Sequence, residues 1–307
     1  MLDLIDKGLL KAVADLTEIP AKGAYNIRKN GAGESRRSTK NIQIIPKTNK
    51  PGIDIIVAPN TKGEQVHIPV ILSAEGMHDV VYNTFKIGDN ADVVIVAGCG
   101  IHNDCNSEAG HNGIHEFFVG KNAKVKYIEK HYGEGTGTGK RVLNPTTKVH
   151  VEENGHIEME MVQISGVDDT IRDTQVDIAQ GGRLIIVERL LTEGEQKADS
   201  IVDVHLMGND SSARVMSRSV ARGNSKQQFH MNLIGNNPCR GHIQCDSIIM
   251  DNAVVESIPQ ISAHHSDAQL IHEAAIGKIA GAQLLKLMSL GLTEEEAEDT
   301  ILKGFLK

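Results

Sequence analysis

One short phrase returns eight times along this chain. A polar residue or Gly is followed by Ala or Gly, one variable residue, and an aliphatic that opens a strand-like run. It reads Asn90-Ala91-Asp92-Val93, Asn122-Ala123-Lys124-Val125, Asn154-Gly155-His156-Ile157 and Gly181-Gly182-Arg183-Leu184. It continues as Ser212-Ala213-Arg214-Val215, Arg240-Gly241-His242-Ile243, Asn252-Ala253-Val254-Val255 and Asp267-Ala268-Gln269-Leu270. The second residues lie 32, 32, 27, 31, 28, 12 and 15 positions apart. A turn and a short strand recurring at one coil or half a coil are what a stacked β-solenoid requires, since each coil buries only its neighbours. The small residue lets the backbone bend, and the aliphatic next but one enters the shared core. A β-sandwich with Asn-Ala turns is the looser alternative.

The rest of the pattern agrees. Leu2, Ile5, Leu9, Val13 and Leu16 repeat at helical spacing, which predicts an amphipathic helix over residues 2–16, stopped before Pro20. From Tyr25 to about Leu270 short alternating runs take over, such as Ile53-Asp54-Ile55-Ile56-Val57 and Ile201-Val202-Asp203-Val204. No helical pattern lies between them, so the sheet is not of the βαβ kind. Ile276, Ile279, Ala280, Leu284, Leu287 and Met288 then trace a helical face ended by Gly291. Thr293 with Glu296 forms a capping box for a last helix. The expected fold is an all-β solenoid core over residues 25–272, flanked by helical segments at 1–24 and 273–307.

Composition narrows the function. Aromatics are 3% of the 307 residues and Trp is absent, so stacking platforms for sugars or single-stranded nucleic acid are missing. Net charge is −8, which predicts no nucleic-acid footprint; Lys22 to Lys50 is locally basic and is read as a solvated edge. The opening Met1-Leu2-Asp3-Leu4-Ile5-Asp6 lacks the features of a secretory signal, and no apolar run is long enough to span a bilayer. A cytoplasmic protein with no membrane contact is expected, its four cysteines being thiols rather than disulfides.

Two motifs are decoys. Gly133-Glu134-Gly135-Thr136-Gly137-Thr138-Gly139-Lys140-Arg141 resembles a phosphate loop, but Arg141 stands where Ser or Thr is needed and no helix follows, so no nucleotide is expected on this chain. His272-Glu273 begins a zinc-protease motif whose second His would fall at Ile276. The cysteine and histidine groups carry more. Cys99, His102, Cys105, His111 and His115 crowd one stretch, and Cys239, His242 and Cys245 another, followed by His264, His265, His272 and Glu273. Neither has the spacing of a structural zinc site or a stable ferredoxin cluster, and each cysteine also reads as a small buried hydrophobe. In a solenoid, residues one coil apart stack. The 28 residues from Cys245 to Glu273 are close to one coil, so a thiol beside a carboxylate is expected. Such a mixed set suits iron or sulfur that must later leave.

These residues carry a resemblance. Ala97-Gly98-Cys99-Gly100-Ile101-His102-Asn103, Val125-Lys126-Tyr127-Ile128-Glu129-Lys130-His131-Tyr132-Gly133, Gln244-Cys245-Asp246-Ser247, His272-Glu273-Ala274 and Gly291 through Phe305 together resemble the SufB/SufD family of iron–sulfur cluster assembly proteins, nearly end to end. The resemblance implies a right-handed parallel β-helix with helical ends. It also implies a non-enzymatic scaffold that assembles and transfers a [4Fe-4S] or [2Fe-2S] cluster. Carried over, the cluster residues are Cys245 and Glu273 with His272 beside them, and the presence of Cys245 makes the chain SufB-like. Cys99, Cys105 and His102 are secondary candidates, as ligands or as a receiving point for sulfur. The family further implies a SufC-like ABC ATPase docked on the C-terminal helices, for which Thr293, Ile301 and Phe305 are the expected contacts, together with a sulfur donor and apo-acceptor proteins. The short chain implies a homodimer. A metal-storing or redox-sensing protein using the same Cys and His groups is the competing expectation.

Overall fold

The computed structural model of the chain describes residues 2–307. Helix α1 (Leu4–Ala14) comes first, opened by a capping box between Asp3 and Asp6. The strands follow: β1 (Ala24–Lys29), β2 (Ala32–Arg37), β3 (Ile42–Pro46), β4 (Gly52–Val57), β5 (Lys62–Leu72), β6 (His78–Ile87) and β7 (Asp92–His102). Next are β8 (Ala109–Val119), β9 (Lys124–Glu134), β10 (Arg141–Leu143), β11 (Thr146–Val151), β12 (His156–Gln163), β13 (Asp169–Ile178) and β14 (Arg183–Thr192). The last are β15 (Lys197–Leu206), β16 (Ser211–Ala221), β17 (Lys226–Gly235), β18 (Cys239–Ile249), β19 (Val254–Ala263) and β20 (Ala268–Gly277). Helices α2 (Gly281–Met288) and α3 (Glu294–Phe305) close the chain.

From β4 onward the chain alternates between two sheets, β10 and β11 sharing one position, which gives a parallel β-solenoid of about eight turns. The first sheet runs β2-β1-β5-β7-β9-β12-β14-β16-β18-β20, and the second runs from β19 back to β3. Pairing is parallel throughout apart from the antiparallel hairpins β1–β2 and β3–β4. The recurring phrase supplies the corners. Asn90, Asn122, Asn154 and Gly181 all sit in the left-handed region (φ 56° to 63°), which Asn and Gly tolerate and β-branched residues do not. The following Ala91 and Ala123 are buried, and the aliphatics after them stack in the core. Two of the eight occurrences are not corners: Ser212-Ala213 lies inside β16, whose bend comes at Asp210, and Arg240-Gly241 lies inside β18, whose bend comes at Asn236-Asn237-Pro238.

Interior positions alternate with exterior ones along the central strands, such as β14 and β15, and like positions stack from coil to coil. Phe85 lies flat on Phe117, with ring centroids 4.1 Å apart, because the two are register partners in β6 and β8. Helix α1 packs on the outside of the first sheet, burying Leu9, Leu10 and Val13. Gly98 and Gly100 point outward beneath it. A Cβ on Gly98 would fall 2.7 Å from the Val13 carbonyl oxygen, so the helix seats only because these positions lack side chains.

The two ends of the solenoid differ. At the N-terminal end the hairpins close the sheets, the outermost strand β2 is polar (Ala-Gly-Glu-Ser-Arg-Arg), and β3 ends in Pro46. At the C-terminal end β19 and β20 have no outer partner among the described residues, and Val254, Ile258, Ile261, Ile271 and Ile276 are exposed there. A long apolar unpaired edge is a template for another chain. Strand β20 continues to Gly277, so the solenoid passes the expected boundary at residue 272 and Ile276 belongs to a strand rather than a helix. No helix among the described residues is long and apolar enough to cross a membrane.

Candidate functional site at the open end of the solenoid

Cys245 points into the solenoid from β18, buried one coil below the open end. Its register partner on β20 is Ala274, not Glu273. The coil here is 29 residues, one more than the separation of Cys245 and Glu273, and a one-residue offset puts a side chain on the opposite face of the sheet. The expected stacking of this thiol on the Glu273 carboxylate is therefore not what the fold builds. Glu273 projects outward, and His242 Nε2 lies 2.7 Å from its Oε1.

The residue brought to Cys245 is His272, whose register partner Ile243 also faces the interior. Its Nε2 lies 3.9 Å from Cys245 Sγ. Its Nδ1 is buried without a hydrogen-bond partner. Burial, reinforced by nearby His242, holds the His272 imidazole below its ordinary pKa, so the ring is neutral near pH 7 with a lone pair free. Burial also pushes the Cys245 thiol up to about 12, with the Glu188 carboxylate adding to the shift. Cys245 thus rests as a thiol. Ser257 on β19 approaches it and offsets part of the shift, its hydroxyl otherwise unpartnered.

Glu188 belongs to a buried polar network that the sequence reading missed. Glu188, Ser217 and Cys245 are successive register partners on β14, β16 and β18. Ser200 and Ser217 donate to the Glu188 carboxylate at 2.9 and 2.8 Å. Arg172 bridges Glu188, with Nε 3.6 Å away, to Glu129, with Nη1 at 3.0 Å. Tyr127 donates to Glu129 and contacts His115. Burial alone would raise the Glu129 carboxyl, but His131, Arg172 and His115 overcome it and hold it at about 2. The signal was present in the parity of the strands: Glu188 occupies the same phase as Leu184, Ile186 and Leu190.

The secondary candidates lie elsewhere. Cys99 is buried in β7, where burial pushes its thiol well up, and its register partner is His131. Cys105 sits half-exposed in the loop after β7, its Sγ 3.0 Å from Asn103 Oδ1. Burial would lower the His102 imidazole, but Asp104 at 2.8 Å and Glu134 at 3.2 Å raise it instead. Strand β7 is five strands from β18, or about 24 Å along the sheet. Cys239 is buried at the start of β18. No single point among the described residues gathers three or more His, Cys, Asp or Glu side chains poised for a metal.

Thr293 caps α3, its hydroxyl accepting from the Glu296 amide while the Glu296 carboxylate accepts from the Thr293 amide. Ile301 and Phe305 are half-buried, and Leu302 is buried. The exposed apolar side chains of this tail are Leu285 and Met288 on α2 and Leu290 just after it.

A β-solenoid with a thiol–imidazole pair at an open apolar end defines a class, and comparison gives it a family. Residues 70–305 match the family described as SUF system FeS cluster assembly, SufBD core domain. The chain belongs to this family. It is 31% identical over 243 residues to an iron-sulfur cluster assembly SufBD family protein of Methanocaldococcus jannaschii, covering 78% of this chain and 76% of that one. A SufBD family protein of Archaeoglobus fulgidus is 30% identical over 251 residues, covering 80% and 66%. One from Pyrococcus horikoshii is 28% identical over 265 residues, covering 82% and 77%. Other relatives are longer: the chain spans 57% of a Methanothermobacter thermautotrophicus protein and 27% of a Mycobacterium tuberculosis one. Its role accordingly lies in iron–sulfur cluster assembly.

Proposed function

We propose that this chain is a scaffold on which an iron–sulfur cluster is built and from which it is passed on, working as a homodimer joined at the open end of the solenoid. The cluster is cargo. The observation that carries the reading is the Cys245–His272 pair, one thiol and one neutral imidazole with an unpartnered ring nitrogen, beneath an unpaired apolar edge. One chain offers two such ligands. Two chains meeting edge to edge about a twofold axis bring two thiols and two imidazoles.

The chemistry suits a cargo. Cys245 keeps its proton until iron arrives, and the bond to iron replaces it. Mixed sulfur and nitrogen ligation holds a nascent cluster less firmly than four thiolates would. Glu273, on the outer face of the same strand, is assigned to the rim, where a hard carboxylate receives incoming iron once it leaves His242. An ABC-type ATPase docks on α2 and α3 through Leu285, Met288 and Leu290, and its ATP-driven closure opens the dimer seam. A sulfur donor and apo-acceptor proteins complete the cycle.

Anaerobic reconstitution with ferric iron, sulfide and dithiothreitol as reductant tests this. The native chain should become a brown dimer that hands its cluster to an apo-acceptor, faster with ATPase and ATP. The double variant Cys245→Ala, His272→Ala should stay colourless while keeping its circular dichroism. Full iron and sulfide loading of that variant would refute the site, and metal that binds tightly but never transfers would favour storage.

A further inference from the structure

On the opposite face from the Cys245 pair, the first sheet carries three arginines with no carboxylate. Arg183, Ser212 and Arg240 are successive register partners on β14, β16 and β18, and Arg214 follows on the same outer face of β16. Strand spacing sets Arg183 and Arg240 about 10 Å apart with the Ser212 hydroxyl between them. They line a groove of about 390 Å³ with His156, His242 and Ile271 at its sides. Most other arginines of this solenoid are engaged, Arg141 with Asp168, Arg172 with Glu129, Arg189 with Glu160 and Arg222 with Glu193. Arg218, further along the outer face of β16, is unpaired among the described residues but has Asp246 as its register partner. Arg183, Arg214 and Arg240 have neither an ion pair nor a side-chain hydrogen bond among the described residues. Nearby acids are already occupied, Glu158 by Lys126 and Glu273 by His242. These three guanidinium groups are exposed and only weakly repel one another in water, and an anion bound between them would relieve that repulsion.

We propose that this groove binds a phosphoryl group, seated over Ser212 with Arg183 and Arg240 on either side and Arg214 alongside. A guanidinium presents paired N–H donors that match phosphate oxygens, and a doubly charged anion answers three cations better than a single carboxylate does. The groove is large enough for the remainder of a small organic phosphate. The chain as a whole is acidic, so general attraction of anions is not the cause. The assignment does not use the Cys245–His272 pair, which faces the interior, although His242 at the side of the groove also holds Glu273.

Isothermal titration of the full chain with pyrophosphate, ADP and adenosine tests it. Pyrophosphate and ADP should bind and adenosine should not. Equal affinity for the two points to inorganic phosphate as the source, and tighter ADP to an organic phosphate. Arg183→Gln with Arg240→Gln should weaken binding about a hundredfold, at roughly tenfold per guanidinium. Arg222→Gln should leave it unchanged. Should the double variant misfold, Arg214→Gln alone, expected to lose about tenfold, decides the matter. The proposal is overturned by no binding of either phosphate compound at millimolar concentration, by equal binding of adenosine, or by arginine variants that bind like the native chain.

Discussion

Sγ of Cys245 and Nε2 of His272 lie 3.9 Å apart across two adjacent coils, the last two strands of one sheet. Cys245 is buried, with the apolar core and the Ser217–Glu188 network beneath it and the last coil above. Its chemistry is set by that burial. A thiol held at about 12 is almost entirely protonated at neutral pH and is a poor nucleophile. Iodoacetamide should therefore leave Cys245 unmodified at pH 7 to 8 while labelling half-exposed Cys105, and labelling of Cys245 should rise steeply only above about pH 10. Site-resolved mass spectrometry after timed alkylation reads this. Rapid labelling of Cys245 at pH 7 would mean an ionised or open site.

The fold was legible where physics is local. Asn90, Asn122 and Asn154 announce corners because a left-handed turn needs Asn or Gly, and Val93, Val125 and Ile157 follow at the phase that must face the core. The site was only half legible. Spacing alone cannot tell a 28-residue from a 29-residue coil, and that single residue decides whether Cys245 meets Glu273 or Ala274. The polar network went unread because Glu129, Arg172 and Glu188 are surface residues by type, and only the parity of their strands turns them inward. The tail was read one strand too early at Ile276, whose apolar neighbours fit either period.

That network makes a stability prediction. Arg172 is the cation between two buried carboxylates, so removing it leaves Glu129 and Glu188 facing each other in the core. Arg172→Met should cost about 3–5 kcal/mol in urea unfolding. Adding Glu129→Gln and Glu188→Gln should restore much of it, since amides carry no charge to leave uncompensated. A loss below about 1 kcal/mol for Arg172→Met would show that water reaches these groups.

Seating of α1 gives a second one. Gly98→Ala places a methyl against the Val13 carbonyl and against the Lys130 carbonyl oxygen, 2.5 Å away. Neither backbone atom can move without shifting the helix or the sheet. The variant should lose about 1–3 kcal/mol and expose the first residues to limited proteolysis. Gly8→Ala, with nothing within 4 Å, serves as the control and should be neutral or slightly stabilising.

The helical tail predicts a separation of fold from partnership. Leu285 and Leu290 are 68% and 75% exposed, so Leu285→Glu with Leu290→Glu should change stability by no more than about 0.5 kcal/mol per site. The same variant should abolish co-elution with the ABC-type ATPase proposed above. Co-elution unchanged would move the docking surface off this patch.

Acid should weaken this protein earlier than a solenoid with an all-apolar interior. Burial holds His115 and His131 at about 4, against an ordinary value of 6.5, with Glu129 offsetting only part of the shift. Their folded values lie below their unfolded ones, so their contribution is complete above pH 6.5 and is lost as pH falls toward 4. Glu129, held at about 2 against 4.5, has the same sign in a lower window, present above 4.5 and lost as pH falls toward 2. Urea midpoints should be flat from pH 8 to 7 and then fall, with a slope of up to ~1.4 kcal/mol per pH unit for each proton taken up. Because the unfolded histidines bind protons that the folded ones refuse, His115→Asn with His131→Asn should flatten the curve between pH 6.5 and 4 and also shrink the lower limb, since both rings help to hold the Glu129 carboxyl down. A native midpoint that stays constant down to pH 4.5 would mean these rings protonate in place, and the interior would then have to be wet.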